Sequence, residues 1–152
     1  MSNSLLTEYT NTVNEFVALA KSIAPGDLLK SPKSGEWSAS FVIQHMADSE
    51  VHFASRFMNA LTELEPKIVP FNEDVYPERL NYGKRDVVKV ISFISTQSAF
   101  TADLLTNINT ADWDRKSIHP EAGVMTITDI LAKAISHYQA HLNQLKEVKA
   151  SL

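Results

Sequence analysis

The sequence predicts an all-α fold, a four-helix bundle, on three observations. Four segments space their apolar residues three and four apart, the period of one helix face. Only four glycines occur in 152 residues, too few for the tight turns of an all-β fold. The chain is 44% hydrophobic and 21% charged, a balance that sustains a core, and its length predicts one helical domain over residues 1–152.

The first helix is expected from Ser4 to about Ile23, with Leu5, Leu6, Tyr9, Val13, Phe16, Val17 and Ala20 on one face, ending before Pro25-Gly26. Ala24–Glu36, with two prolines and two glycines, is a connection. Ser38 or Ser40 caps a long second helix, Ala39–Leu64, whose stripe is Phe41, Val42, Met46, Phe53, Phe57, Ala60, Leu61 and Leu64. His45, Ser49, His52 and Arg56 form a second line that also faces inward if this helix is central. Glu65–Gly83 holds Pro66, Pro70 and Pro77 and reads as a long connection or a short interrupted helix. Connections of that length often cover a site, and this one can run the height of a bundle, so that the next helix points the same way as the last.

That third helix is expected over Arg85–Asn107, with Val87, Val88, Ile91, Phe93, Ile94, Ala99, Phe100, Leu104, Leu105 and Ile108 as apolar positions. A second connection, Asn109–Met125, carries Trp113, His119-Pro120 and Gly123. Thr126 or Thr128 starts the last helix, Ile127–Lys149, with Asp129 in its first turn against the helix dipole. Its buried face is Ile127, Ile130, Leu131, Ala134, Tyr138, Leu142, Leu145 and Val148, and His137 and His141 lie inside that arc.

A net charge of −4 and a pI near 5.7, without a basic cluster, exclude the electrostatics of nucleic-acid binding. No apolar run approaches the ~20 residues that span a bilayer, and Met1–Glu8 lacks the layout of a signal peptide, so a cytoplasmic protein with no membrane partner is expected. The chain has no cysteine. Any thiol in its chemistry arrives with the substrate, and any metal is held by nitrogen and oxygen.

Two histidines four apart on a helix stand one turn above each other and can share one metal ion. His137 and His141 are such a pair, and burying two imidazoles without partners costs ~1–3 kcal/mol for each unsatisfied group. A third ligand must come from another helix. His45 and His52 both qualify; they are ~10 Å apart along the helix axis, so only one reaches the ion, and periodicity leaves both open.

The stretch Gly35-Glu36-Trp37-Ser38-Ala39-Ser40-Phe41-Val42-Ile43-Gln44-His45-Met46-Ala47-Asp48-Ser49-Glu50 resembles the second-helix entry of the DinB/YfiT-like superfamily, where a Trp-Ser cap precedes a metal-binding histidine and a downstream glutamate. Trp113-Asp114-Arg115, His119-Pro120-Glu121-Ala122-Gly123, Met125-Thr126 and the His137/His141 pair resemble its closing segment. Phe71-Asn72-Glu73-Asp74-Val75-Tyr76 is similar to its acidic middle loop. The resemblance implies an up-down-down-up four-helix bundle, often a homodimer, that holds a divalent metal through His45, His137 and His141. His52 then lines the pocket or core, His119 braces its loop, and Trp37 and Trp113 are packing anchors. Asp48 is expected to face solvent. Glu50, ~140° round the helix from His45, is a poor ligand.

Three nitrogen ligands leave a divalent ion open to water or substrate, the arrangement of a catalytic site. The expected function is a metal-dependent enzyme acting on a small molecule, in which the three-histidine site activates a thiol or water. The resemblance points to S-transferases using bacillithiol or mycothiol as co-substrate, a thiol-dependent isomerase, or hydrolases. The alternative is a non-catalytic, stress-related helical module that binds metal or a small ligand. Zinc, nickel and iron are the expected metals. The sequence assigns no catalytic acid or base.

Overall fold

Three of the long helices begin where a side chain satisfies their first free amides. The computed structural model, which describes residues 2–152, places α1 at Ser2–Lys21, α2 at Ala39–Thr62, a one-turn α3 at Tyr76–Arg79, α4 at Val87–Thr106 and α5 at Ile127–Ala150. Ser38 Oγ accepts from the Phe41 amide at the head of α2. Asp86 does the same for Val88 and Lys89 at the head of α4. Thr126 and Asp129 cap α5 reciprocally: Thr126 Oγ1 accepts from the Asp129 amide at 3.1 Å and Asp129 Oδ2 accepts from the Thr126 amide at 2.8 Å. The bonds that the Thr126 amide and hydroxyl donate to the Asp129 carboxylate also hold it below its usual range.

α1 packs on α5 and α4, and α2 packs on the same two helices, which closes a four-sided bundle. Direction follows from the cross-links. Glu8 and Glu15 of α1, and Ser22 just after it, meet Gln139, Lys146 and Lys149 of α5, so numbers rise together and these helices are parallel. His45 of α2 meets His141 while Phe53 meets His137, so α2 and α5 are antiparallel. The bundle is up-down-down-up, and the segment between α2 and α4 climbs back along its height. Arg115 closes the far end of α2, donating to the Ala60 and Glu63 carbonyls at 2.6 and 3.0 Å.

Phe16, Phe57, Ile94, Leu131 and Leu145 are fully buried in the shared core. α4 is where the expected pattern fails: Val88, Phe93, Ala99 and Phe100 face outward, while Val90, Ser98 and Thr101 are buried. Six of its first eight residues are apolar, so hydrophobicity alone could not locate its inner face. The connection before α5 also holds more order than expected. Lys116–His119 (β1) and Gly123–Thr126 (β2) form an antiparallel hairpin. Gly123 takes φ +75° at its turn, a conformation that suits glycine. β1 also pairs with the crossover: the Ile68 amide donates to the Ile118 carbonyl, and the Ile118 amide to Pro66.

Among the described residues, one carboxylate is buried in the core, and it makes no ion pair. Glu50 is 1% exposed and accepts from the Tyr9 hydroxyl at 2.8 Å. Burial pushes its carboxyl from 4.5 up to about 7, although the neighbouring Tyr138 and Tyr9 hydroxyls pull the other way. A raised pKa means that the stability contributed by the protonated form is fully present below about pH 4.5 and is lost as pH rises through about 7. Glu50→Gln keeps the acceptor and removes the charge. The Tm difference between variant and wild type should be more positive at pH 8.5 than at pH 5 by about 5 °C in circular-dichroism melts; an equal difference at both pH values contradicts a buried titrating Glu50.

Candidate metal centre

His45 sits on the second turn of α2, and its side chain is fully buried. His137 and His141 come from the middle of antiparallel α5, one turn apart, so the two helices aim three imidazoles at one point. His137 Nε2 stands 3.1 Å from His45 Nε2 and 3.1 Å from His141 Nε2. One nitrogen from each of the three lies within 4.8 Å of the others. Nitrogens held by one ion at roughly 2.1 Å stand about 3.0–3.4 Å apart for angles of about 90–110°, so the observed spacing fits a shared ion.

Protonation supports the same fit. Burial, reinforced by the neighbouring histidines, drives His45 from 6.5 down to about 3. His137 falls to about 3 for the same first reason, helped by His141, Lys133 and Arg56. His141 is also lowered by burial. The rings are therefore neutral at physiological pH, with a lone pair on one nitrogen each. His141 Nδ1 donates to Gln144 Oε1 at 2.7 Å, which leaves its Nε2 lone pair facing the cluster. His137 Nε2 cannot serve both neighbours through a single proton, so hydrogen bonding alone leaves one contact with two lone pairs opposed. A cation resolves that conflict. The Nδ1 atoms of His45 and His137 are buried without partners.

The surroundings come from three elements. The Trp37 ring lies 5.3 Å from His45, and the Phe53 ring 6.0 Å from His137. From the crossover, Phe71 approaches His45 at 6.3 Å, and Glu73 Oε2 reaches 3.5 Å from His45 Nε2 while remaining half exposed. A cavity of about 480 Å³ opens beside the cluster, lined by Phe53, Arg56, Phe71, Glu73, Lys133, His137 and His141 among others. A second cavity, on the Trp37 side, is also lined by Glu73 and His141.

His52 is outside the cluster. Its ring stacks on Phe71 at 4.1 Å, and Nε2 stands 2.9 Å from the Tyr76 hydroxyl, so it supports the crossover that roofs the site. His119 braces the hairpin turn, its Nδ1 accepting from the Glu121 and Ala122 amides at 3.1 Å each. Trp113 is buried, whereas Trp37 is a wall of the site as well as a packing residue. Asp48 corrects the expectation of a solvent-facing carboxylate. It is largely buried, pairs with Arg85 at 3.0 Å and accepts from the Tyr82 hydroxyl at 2.7 Å, pinning the start of α4 to α2. Both partners arrive from the end of the crossover, just before α4, beyond the reach of a helical wheel. Glu50 lies in the core away from the histidines, as its angle on α2 predicts. Spacing missed Glu73, because an irregular loop has no period; Gln144, three residues after His141, was detectable as an i, i+3 partner.

Fold and site together define a four-helix bundle with three neutral imidazoles converging beside an open cavity. The family profile described as the DinB superfamily matches residues 8–145, and the chain belongs to that superfamily. A relative from Oceanobacillus iheyensis, named "Putative metal-dependent hydrolase OB0782", is 28% identical over 152 residues, covering 95% of this chain and 88% of its own. One from Bacillus mycoides with the same functional name is 28% identical over 149 residues, covering 93% and 83%. Among solved structures, YfiT from Bacillus subtilis, described as a probable metal-dependent hydrolase with an unusual four-helix bundle topology, superposes with a TM-score of 0.87 at 20% identity, over 97% of this chain and 85% of that one. A mycothiol-dependent maleylpyruvate isomerase gives a TM-score of 0.80 at 13% identity, over 95% of this chain and 60% of that one. Both structures share the fold. Among the described residues, no helix is long and apolar enough to cross a membrane.

The depressed histidine pKa values carry a pH signature. Stability held by neutral rings is fully present above about pH 6.5 and is lost as pH falls toward about 3. Glu50 titrates in the opposite sense, so the useful comparison is with His137→Gln, which retains it. After chelation, wild type should lose on the order of 2 kcal/mol relative to His137→Gln between pH 7.5 and pH 4.5 in urea unfolding. Parallel stability curves contradict buried neutral imidazoles.

Proposed function

We propose that the protein is a metal-dependent enzyme in which His45, His137 and His141 hold one divalent ion and a small-molecule substrate approaches through the adjoining cavity. The convergence of three neutral ring nitrogens beside that cavity, with His137 and His141 in its wall and His45 buried behind them, carries this reading. The relatives' names support it. The donor set, three imidazoles and no thiolate, suits zinc, nickel or iron. When bound, such an ion would lower the pKa of a water or thiol and so supply a nucleophile near neutral pH.

The chain's own side chains do the rest. Gln144 fixes the His141 tautomer, so that its Nε2 lone pair stays on the cluster side. Trp37, Phe53 and Phe71 wall the rings and limit water at the site. Glu73 Oε2, beside His45 at the cavity mouth, is positioned to accept the proton that a water or thiol gives up. Water is favoured by the relatives named hydrolases, and an external low-molecular-weight thiol by the mycothiol-dependent neighbour and the absence of cysteine.

Elemental analysis of untagged protein tests the metal reading. Wild type should carry close to stoichiometric zinc, nickel or iron, and His45→Ala and His141→Ala should carry at least tenfold less; equal content in all three samples overturns the ligand set. Turnover of a p-nitrophenyl ester without thiol, against conjugation of a chlorinated nitroarene with added thiol, separates the two nucleophiles. Glu73→Gln should retain the metal and lower kcat about 100-fold in whichever assay is active. An unchanged kcat removes Glu73 from the proton transfer.

A further inference from the structure

Two cations line the cavity beside the histidines, along with Glu73 and Glu121. Arg56 lies one turn beyond Phe53 on α2 and Lys133 one turn before His137 on α5, and both line the cavity that reaches His137 and His141. Arg56 is half-buried: its Nε is enclosed and unsatisfied, and its guanidinium lies 5.1 Å from the Phe53 ring centroid and 5.9 Å from that of Phe71. Among the described residues, no carboxylate comes within ion-pair distance of Arg56 or Lys133. Glu121 lines the same cavity without pairing to either. A guanidinium withdrawn from water normally gains a partner, because an unpaired buried donor is costly and an unpaired buried charge more so. The aromatic faces compensate for part of that cost, but they leave the planar N–H edge free.

The same two cations, with His119 and Glu121, line a further cavity of about 440 Å³, whose apolar wall includes Phe53, Ile68, Met125 and Ile130. One cation pair thus stands between an apolar chamber and the histidine cluster. We propose that Arg56 and Lys133 form an anion subsite that binds a carboxylate of the substrate, with an apolar body in the chamber of Ile68, Met125 and Ile130 and the reacting group turned toward His137 and His141. A planar carboxylate matches the Arg56 fork, and Lys133 adds a mobile second charge at the rim. The inference deepens the proposed function and rests on it for the direction in which the reacting group points. The subsite itself belongs to the protein without metal.

The test is therefore made on chelated, metal-free protein. 4-Fluorobenzoate and its uncharged isostere 4-fluorobenzamide are titrated separately by ¹⁹F NMR. The carboxylate should bind at least tenfold more tightly than the amide in wild type. Arg56→Gln should abolish that preference, Arg56→Lys should keep part of it, and Lys133→Gln, a change at an exposed residue, should reduce it severalfold. Equal affinity for the two probes, no saturable binding of either, or a preference untouched by Arg56→Gln and Lys133→Gln overturns the subsite. So does a preference that emerges only after zinc is added and ignores Arg56→Gln, because the carboxylate would then be bound by the metal. If elemental analysis finds no metal in wild type while the Arg56-dependent preference persists, the metal reading fails and the anion subsite stands.

Discussion

Three imidazoles held neutral at one point are the constraint around which the structure is arranged. Burial alone would drive each ring away from its charged form, and each neighbour adds to that tendency. The price is a set of polar nitrogens removed from water, two of them without protein partners. Only a rigid frame keeps such a cluster from relaxing into ordinary hydrogen bonds. Antiparallel α2 and α5 supply it, with the core below them closed by Phe57, Leu131 and Leu145.

The up-down-down-up connectivity follows from two parallel pairs, α1 with α5 and α2 with α4. A parallel pair cannot be joined by a short turn, so the chain must travel back along the bundle between α2 and α4. That return segment is tied down at both ends: the Ile68–Ile118 pairing fixes its start to the hairpin, and Tyr82 and Arg85 fix its end to Asp48. Between the anchors, Phe71, Glu73 and Tyr76 are carried over the histidines. Topology and site chemistry thus meet in one stretch of chain.

The four long helices were legible because their faces repeat and their caps are local: Ser38, Thr126 and Asp129 announce helix starts within three residues. The pair His137 and His141 was legible for the same reason. The choice of His45 over His52 was not a matter of spacing; it came from the resemblance of the segment around Trp37-Ser38, and the structure places His45 beside the pair and His52 on Phe71. What stayed hidden depends on residues distant in sequence. Asp48 looked like a surface carboxylate until Tyr82 and Arg85 were brought to it. The hairpin strands, four residues each, are too short to establish an alternation, and the outward phenylalanines of α4 are indistinguishable by composition from its inward isoleucines.

The return segment over the histidines has a consequence for how this architecture can diversify. Its residues from Phe71 to Arg79 contribute none of the fully buried side chains of the bundle, so exchanging them alters little of what keeps the protein folded. Yet these residues decide which walls, charges and openings an approaching molecule meets. Stability and part of the selectivity are therefore encoded in separate stretches of the same chain. A lineage can rewrite the second without first finding mutations that compensate for damage to the first.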